Sequence, residues 1–205
     1  MKAFAARAWS ASLVTLCLFA GVAQAATLQV TVRDDRGRPV SDAVVFLESP
    51  EAARAARPLA QQEMGQKDRA FVPDVLAVTR GTSVQFPNRD TVRHHVYSFS
   101  AAKRFELKLY IGTPANPVTF DQPGVVVLGC NIHDQMIGWI LVVDTPYFAS
   151  TSASGQAWLA DVPEGGYRLR VWHSHMPVGA PALDQALKLD GASATAQVVL
   201  KGLVP

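Results

Sequence analysis

Cys130, His133 and Met136 fall within seven residues of the stretch Gly129–Ile140, "GCNIHDQMIGWI". A thiolate, an imidazole and a thioether are soft or borderline donors, and three so close together suit a transition metal better than a hard cation. A metal held there needs at least one more donor from elsewhere in the chain. The stretch "VQFPNRDTVRHHVYSF" offers His94 and His95 at the start of an alternating run. Successive strand side chains point to opposite faces, so only one of the two can face the Cys130 loop unless a bulge intervenes. Two imidazoles and a thiolate with a weak axial thioether make the blue-copper donor set. Zinc is the competitor, but thioether is not among its usual ligands and its structural sites favour more thiolates.

The compartment sharpens the meaning of Cys130. Residues 1–25 read as a secretory signal: Lys2 and Arg7 give a positive start, "ASLVTLCLFAGVA" an apolar run, and Ala23-Gln24-Ala25 a cleavage site. The mature chain is expected to begin near Ala26, in the periplasm, and Cys17 leaves with the signal. No second apolar run is long enough to span a bilayer, so no membrane insertion is expected after cleavage. Cys130 then remains alone in an oxidising compartment, where no intramolecular disulfide can form and an occupied thiolate is the readier explanation. Loss of Lys2 and Arg7 leaves 17 basic against 17 acidic residues. Such a balance argues against a nucleic acid or an anionic membrane as partner.

The elements that must position these donors read as strands nearly throughout. Thr27–Ser49 gives two apolar runs around a turn carrying Asp34, Asp35, Gly37 and Pro39, a hairpin-like signal. "EAARAARP" suits a helical turn or two before Pro58, and "LAQQEMGQKD" reads as a connection. "FVPDVLAVTRGTSVQFPN" gives two strands turning at Arg80-Gly81. "HHVYSFS", "RFELKLY", "PVTFD", "GVVVLGC" and "MIGWILVVD" follow at short spacing. Beyond Asp144 come "GQAWLADV", "YRLRVWH" and two further strands around Asp190-Gly191. Many short strands between turn residues, with no long helical period, predict an all-β sandwich.

"NRDTVRHHV" followed by "PGVVVLGCNIHDQMIGWI" resembles the plastocyanin and amicyanin group of cupredoxins, which carry N-x-D-x-x-x-H-N-V ahead of a C-x-x-H loop, a Met and a strand starting M-V-G. The spacing C-x2-H-x2-M looks like amicyanin in particular, and so suggests an exported protein of the methylamine-utilisation type. The resemblance covers about Gln66 to Val143, fewer than half of the residues. It implies a Greek-key sandwich holding type 1 copper, Cu(I)/Cu(II), through His94, Cys130, His133 and Met136. Aligning Asn88 and Asp90 with the motif places the ligand on His94, and His95 then stands where the family has an Asn that stiffens the site. Gly129 stands where plastocyanin has a Tyr beside the Cys, so that aromatic route is missing and electron exchange through His133 is expected. The patch around that imidazole edge would include Ile132 and Ile137. Amicyanin takes electrons from an amine dehydrogenase and passes them to a cytochrome c, so a c-type cytochrome or a dehydrogenase is the implied partner.

The flanks resemble another family. "GRPVSDAVVFLES" and "GQAWLADVPEGGYRLRVWH" look like carboxypeptidase regulatory-like, transthyretin-type β-sandwiches. The implied organisation is a signal peptide at 1–25, the first strands of an immunoglobulin/transthyretin-like sandwich at 26–58, a cupredoxin domain at 59–145 and the rest of the flanking sandwich at 146–205. The cupredoxin would thus be inserted between the second and third strands of its host. His173, His175 and Met176 form a weaker copper candidate, for which a strand-end histidine is the plainer reading. Trp139, Trp158 and Trp172 read as core. The resulting expectation is a non-enzymatic one-electron carrier. The alternatives are a copper-holding or copper-delivering module, and a structural adhesion or carbohydrate-binding sandwich in which Cys130 is dispensable.

Overall fold

A computed structural model describes residues 25–204, so the proposed signal peptide, Cys17 included, lies outside the described residues except for Ala25. The fold is all-β. The strands, in chain order, are β1 (Ala25–Asp34), β2 (Val44–Glu48), β3 (Gln62–Glu63), β4 (Gly65–Lys67), β5 (Ala70–Val72), β6 (Val75–Thr79), β7 (Thr82–Gln85), β8 (His94–Ser100) and β9 (Lys103–Tyr110). They continue with β10 (Val118–Phe120), β11 (Gly124–Gly129), β12 (Ile137–Val143), β13 (Phe148–Ser150), β14 (Gln156–Pro163), β15 (Gly165–Trp172), β16 (Leu183–Leu189) and β17 (Ser193–Leu200). One short helix, α1 (Pro50–Ala55), follows β2. Its start is set by chemistry: the Ser49 hydroxyl accepts from the Ala52 N–H, and Pro50 fills a first-turn position where its missing N–H costs nothing.

The two ends of the chain build one sandwich and the middle builds another. Sheets β14-β1-β17 and β13-β2-β15-β16 face each other across Leu28, Val30, Val32, Leu47, Leu169 and Val198. The chain leaves this pair after β2 and α1 and returns at β13. In between, the five-stranded sheet β6-β12-β11-β8-β9 packs on β10-β7-β3, with Phe71, Val84, Phe86, Phe120, Val126, Leu128 and Ile140 as core. Strands β4 and β5 form a small ribbon beside it. At Gly138 a Cβ would come within 2.8 Å of Phe71 Cβ, so the absence of a side chain lets this ribbon lie close on β12.

The two sandwiches meet through the outer faces of their larger sheets. Val44, Phe46 and Trp172 on one side pack with Leu141 and Val143 on the other. This explains why Val44–Leu47 is apolar without alternation: Val45 and Leu47 enter the flanking core while Val44 and Phe46 enter the contact between the sandwiches. Burying each such side chain is worth about 1.5–3 kcal/mol.

The strand positions agree closely with the sequence reading, but the pairings do not. The hairpin expected across Asp34–Pro39 is a crossover, because β1 pairs with β14 and β17 whereas β2 pairs with β13 and β15. The turn is tight all the same: the Asp34 carboxylate accepts from the Arg36 and Arg38 N–H groups at 2.9 and 2.8 Å. "LAQQEMGQKD" is more than a connection, since it contains β3 and β4. Trp139 and Trp172 belong to the contact between the sandwiches, as partly and fully buried members. Trp158 departs from the core expectation at 51% exposed, because β14 turns it to the uncovered face of its sheet.

Candidate metal centre

Strand β11 carries the chain to Cys130, the loop 131–136 turns back, and β12 returns antiparallel to β11. The Met136 N–H donates to the His133 carbonyl at 2.9 Å, closing the loop on itself. Strand β8 lies on the other side of β11, paired through Tyr97 and Gly129, and brings His94 to the same end of the sheet. The alternation rule decides between the two histidines. His94 points inward to Cys130, and His95 points outward, with its Nε2 2.8 Å from Glu106 Oε1. The β8–β9 register does slip between His94 and Val96, but the extra residue belongs to β9 and leaves the alternation of β8 intact.

Three donor atoms converge. Cys130 Sγ lies 3.9 Å from His94 Nδ1 and 3.7 Å from His133 Nδ1, and one ligand atom from each residue falls within 4.8 Å of the others. With metal–nitrogen and metal–sulfur bonds near 2.05 and 2.3 Å, a trigonal ion would separate its sulfur and nitrogen ligands by about 3.8 Å. The observed spacings therefore fit one ion among the three. Met136, 1% exposed, is buried in the same apolar cluster as Cys130. Its thioether is an adaptable, weak donor that would add soft-donor character to a transition-metal site there.

The residues around His94 fix its ring. Its Nε2 is 2.7 Å from Asp90 Oδ2, which leaves Nδ1 to face the thiol. Asp90 also accepts from the backbone N–H groups of Asp68 and Arg69 at 2.7 and 3.0 Å. Burial works to raise the Asp90 carboxyl, yet the Arg69 N–H, His94 and Asp68 N–H bonds together hold it below the usual carboxylate range. Asn88 ties the same turn together: its amide donates to the Val92 and Tyr110 carbonyls and its Oδ1 accepts from the Asp90 N–H. Tyr110 donates to the Phe86 carbonyl and accepts from Gln66, and burial pushes its phenol up to about 12, with Cys130 nearby adding in the same direction.

His133 is half-buried, and Ile132 and Ile137 beside the loop are about half exposed. The weaker candidate does not assemble a site. His173 Nε2 is 3.1 Å from the Ser41 carbonyl and its Nδ1 accepts from the His175 N–H at 3.0 Å, so both ring nitrogens are engaged within the protein. Burial first, and then neighbouring His175, lower the pKa of His173 and favour the neutral ring. Sequence reasoning placed Asp90 and Gly129 in a motif without their contacts, and missed Tyr97, whose ring lies against Gly129, and Glu106 altogether. The four-residue spacing of Asp90 and His94 could have signalled their pairing, and the glycine beside Cys130 hinted at a close approach. Nothing local marked Glu106 as the partner of His95.

No protein-family model matches the sequence, and no curated protein matches it. Similar solved structures include a reduced Cu(I) form of an amicyanin variant at pH 4, 22% identical, aligned over 48% of this chain and 98% of that one with a TM-score of 0.37. A novel purple cupredoxin from Nitrosopumilus maritimus is 22% identical over 42% of this chain and 100% of its own, with a TM-score of 0.36. A copper-containing nitrite reductase from Thermus scotoductus SA-01 is 23% identical over 56% of this chain and 28% of its own, with a TM-score of 0.38.

Proposed function

We propose that this chain is an exported, mononuclear type 1 copper protein that carries single electrons between periplasmic redox partners, a c-type cytochrome or a dehydrogenase among them. The observation that carries the reading is the convergence of His94 Nδ1, Cys130 Sγ and His133 Nδ1 at one end of a sandwich, with Met136 buried alongside. Copper bound there would supply a one-electron Cu(II)/Cu(I) couple. Thiolate, two imidazoles and a thioether suit both oxidation states, whereas zinc has no use for the thioether.

The chain's own residues serve such a couple by holding still. Asp90 keeps His94 in one tautomer and one orientation, and Asn88 keeps Asp90 in place. Leu128, Met136 and Phe86 belong to the apolar cluster that also contains Cys130, which is left only 4% exposed. His133, on the loop and half-buried, offers a path between the site and the surface. Cyclic voltammetry of the copper-loaded protein tests the carrier role. A reversible one-electron wave, absent from Cys130→Ser, is expected. Tightly bound copper that cannot be cycled would instead identify a copper-holding module.

A further inference from the structure

Gly129 has no side chain, and an aromatic ring from the neighbouring strand takes the space. A Cβ at Gly129 would lie 2.7 Å from Tyr97 Cζ and 2.8 Å from its Oη, so the Tyr97 ring rests on the residue bonded to Cys130. Phe99 follows on the same face of β8, its centroid 5.3 Å from that of Tyr97. Phe99 is 77% exposed, an unusual position for a phenylalanine in a folded strand. The two rings, Val127 and Ile137 line a shallow groove of about 550 Å³ that reaches Cys130. Farther along this sheet the same outward face is covered by the flanking sandwich through Trp139 and Leu141. The groove is thus the open continuation of an interface already built into the chain.

Charge along one rim indicates what would cover it. Strand β9 places Arg104 opposite Phe99 and Glu106 opposite Tyr97. Glu106 is engaged by His95, and Lys103 pairs with Asp121. Exposed Arg104 and Lys108 form no ion pair among the described residues. The β9 rim therefore presents two unpaired cations beside an exposed aromatic ring, while the exposed Asp134 carboxylate lines the groove at the Cys130 loop; cations next to an apolar anchor on the Phe99 side suit a protein partner.

We propose that this groove docks an acidic one-electron protein whose apolar cofactor edge seats on Phe99, with Tyr97 and Gly129 providing the path to Cys130. The inference rests on the copper reading above and adds an electron port separate from the His133 edge. With a haem partner, one electron would leave Fe(II), which would become Fe(III), and would reduce copper held by His94, Cys130 and His133 from Cu(II) to Cu(I). No covalent bond is made or broken and no proton is required.

The test uses ferrous cytochrome b5, an acidic haem protein with an exposed haem edge, mixed in stopped flow with the copper-loaded chain. Phe99→Ser is expected to lower the second-order rate constant about tenfold or more, as loss of an interface anchor does. Arg104→Glu should also lower it and flatten its dependence on salt. Ile132→Ser, beside His133, should change it less than about twofold. Amide NMR of the reduced chain with the ferric cytochrome should shift Tyr97, Phe99 and Val127. An unchanged rate for Phe99→Ser with a large loss for Ile132→Ser would overturn the proposal, as would NMR shifts confined to residues 131–134. Shifts at Phe99 that follow the chain's own concentration, without cytochrome, would assign the face to a second copy and overturn it too. The visible spectrum of each sample separates the two claims: lack of a copper–thiolate band defeats the copper reading, while the NMR map still decides where the cytochrome docks.

Discussion

The two sandwiches are built alike and spend their buried polar groups differently. In the flanking pair the space between the sheets is filled by Leu28, Val30, Leu47, Leu169 and their neighbours, and a buried hydroxyl such as Thr151 serves the backbone, donating to the Val40 carbonyl and accepting from the Ala43 N–H. In the middle pair Gln66, Asn88, His94 and His95 are all buried, and they gather at the end where Cys130 sits. Buried polar groups cost stability unless each finds a partner. Here Asn88 and His94 find theirs in Asp90, Val92 and Tyr110, so the network reads as the support of a site. The contrast separates two kinds of interior: an apolar one between the flanking sheets, and in the middle one that holds a buried thiol beside an imidazole tied down by hydrogen bonds.

If that division is correct, damage to one sandwich should leave the other's property in place. Leu169→Ala removes a fully buried side chain from the flanking core and should destabilise the protein by about 2–5 kcal/mol in chemical denaturation. The visible spectrum of the folded copper-loaded fraction should be unchanged. A shifted spectrum would show that the two sandwiches are not independent in this sense, and the Trp172–Leu141 contact would be the place to look.

A smaller effect should come from the middle. Asp90→Ala leaves the donor atoms in place but frees the His94 ring, so metal affinity should fall about 10–100-fold, or roughly 1.4–2.7 kcal/mol. Competitive titration with a chelator measures it. An unaltered affinity would mean that packing alone fixes His94.

The site was more legible in the sequence than the sheet pairing was, for a physical reason. Cys130, His133 and Met136 sit on one loop, and His94 opens a strand whose alternation already forbids His95 from facing the same way. Ligand spacing and alternation are local properties. Pairing is not. The turns at Asp34–Pro39, Arg80-Gly81 and Asp190-Gly191 each look like hairpin turns, yet each joins strands of different sheets: β1 to β2, β6 to β7 and β16 to β17. Alternation says that a strand has a buried face and is silent about which neighbour it pairs with. The same limit hid the Tyr97 ring, which reaches Gly129 only because β8 pairs with β11 in that register.

The most direct test of the central claim is the visible absorption and EPR spectrum of the purified protein after addition of Cu(II), beside Cys130→Ser. An intense thiolate-to-copper band with narrow hyperfine splitting, lost in the variant, is the predicted result. A protein that stays colourless, or whose weak absorption survives the substitution, would contradict the blue-copper account.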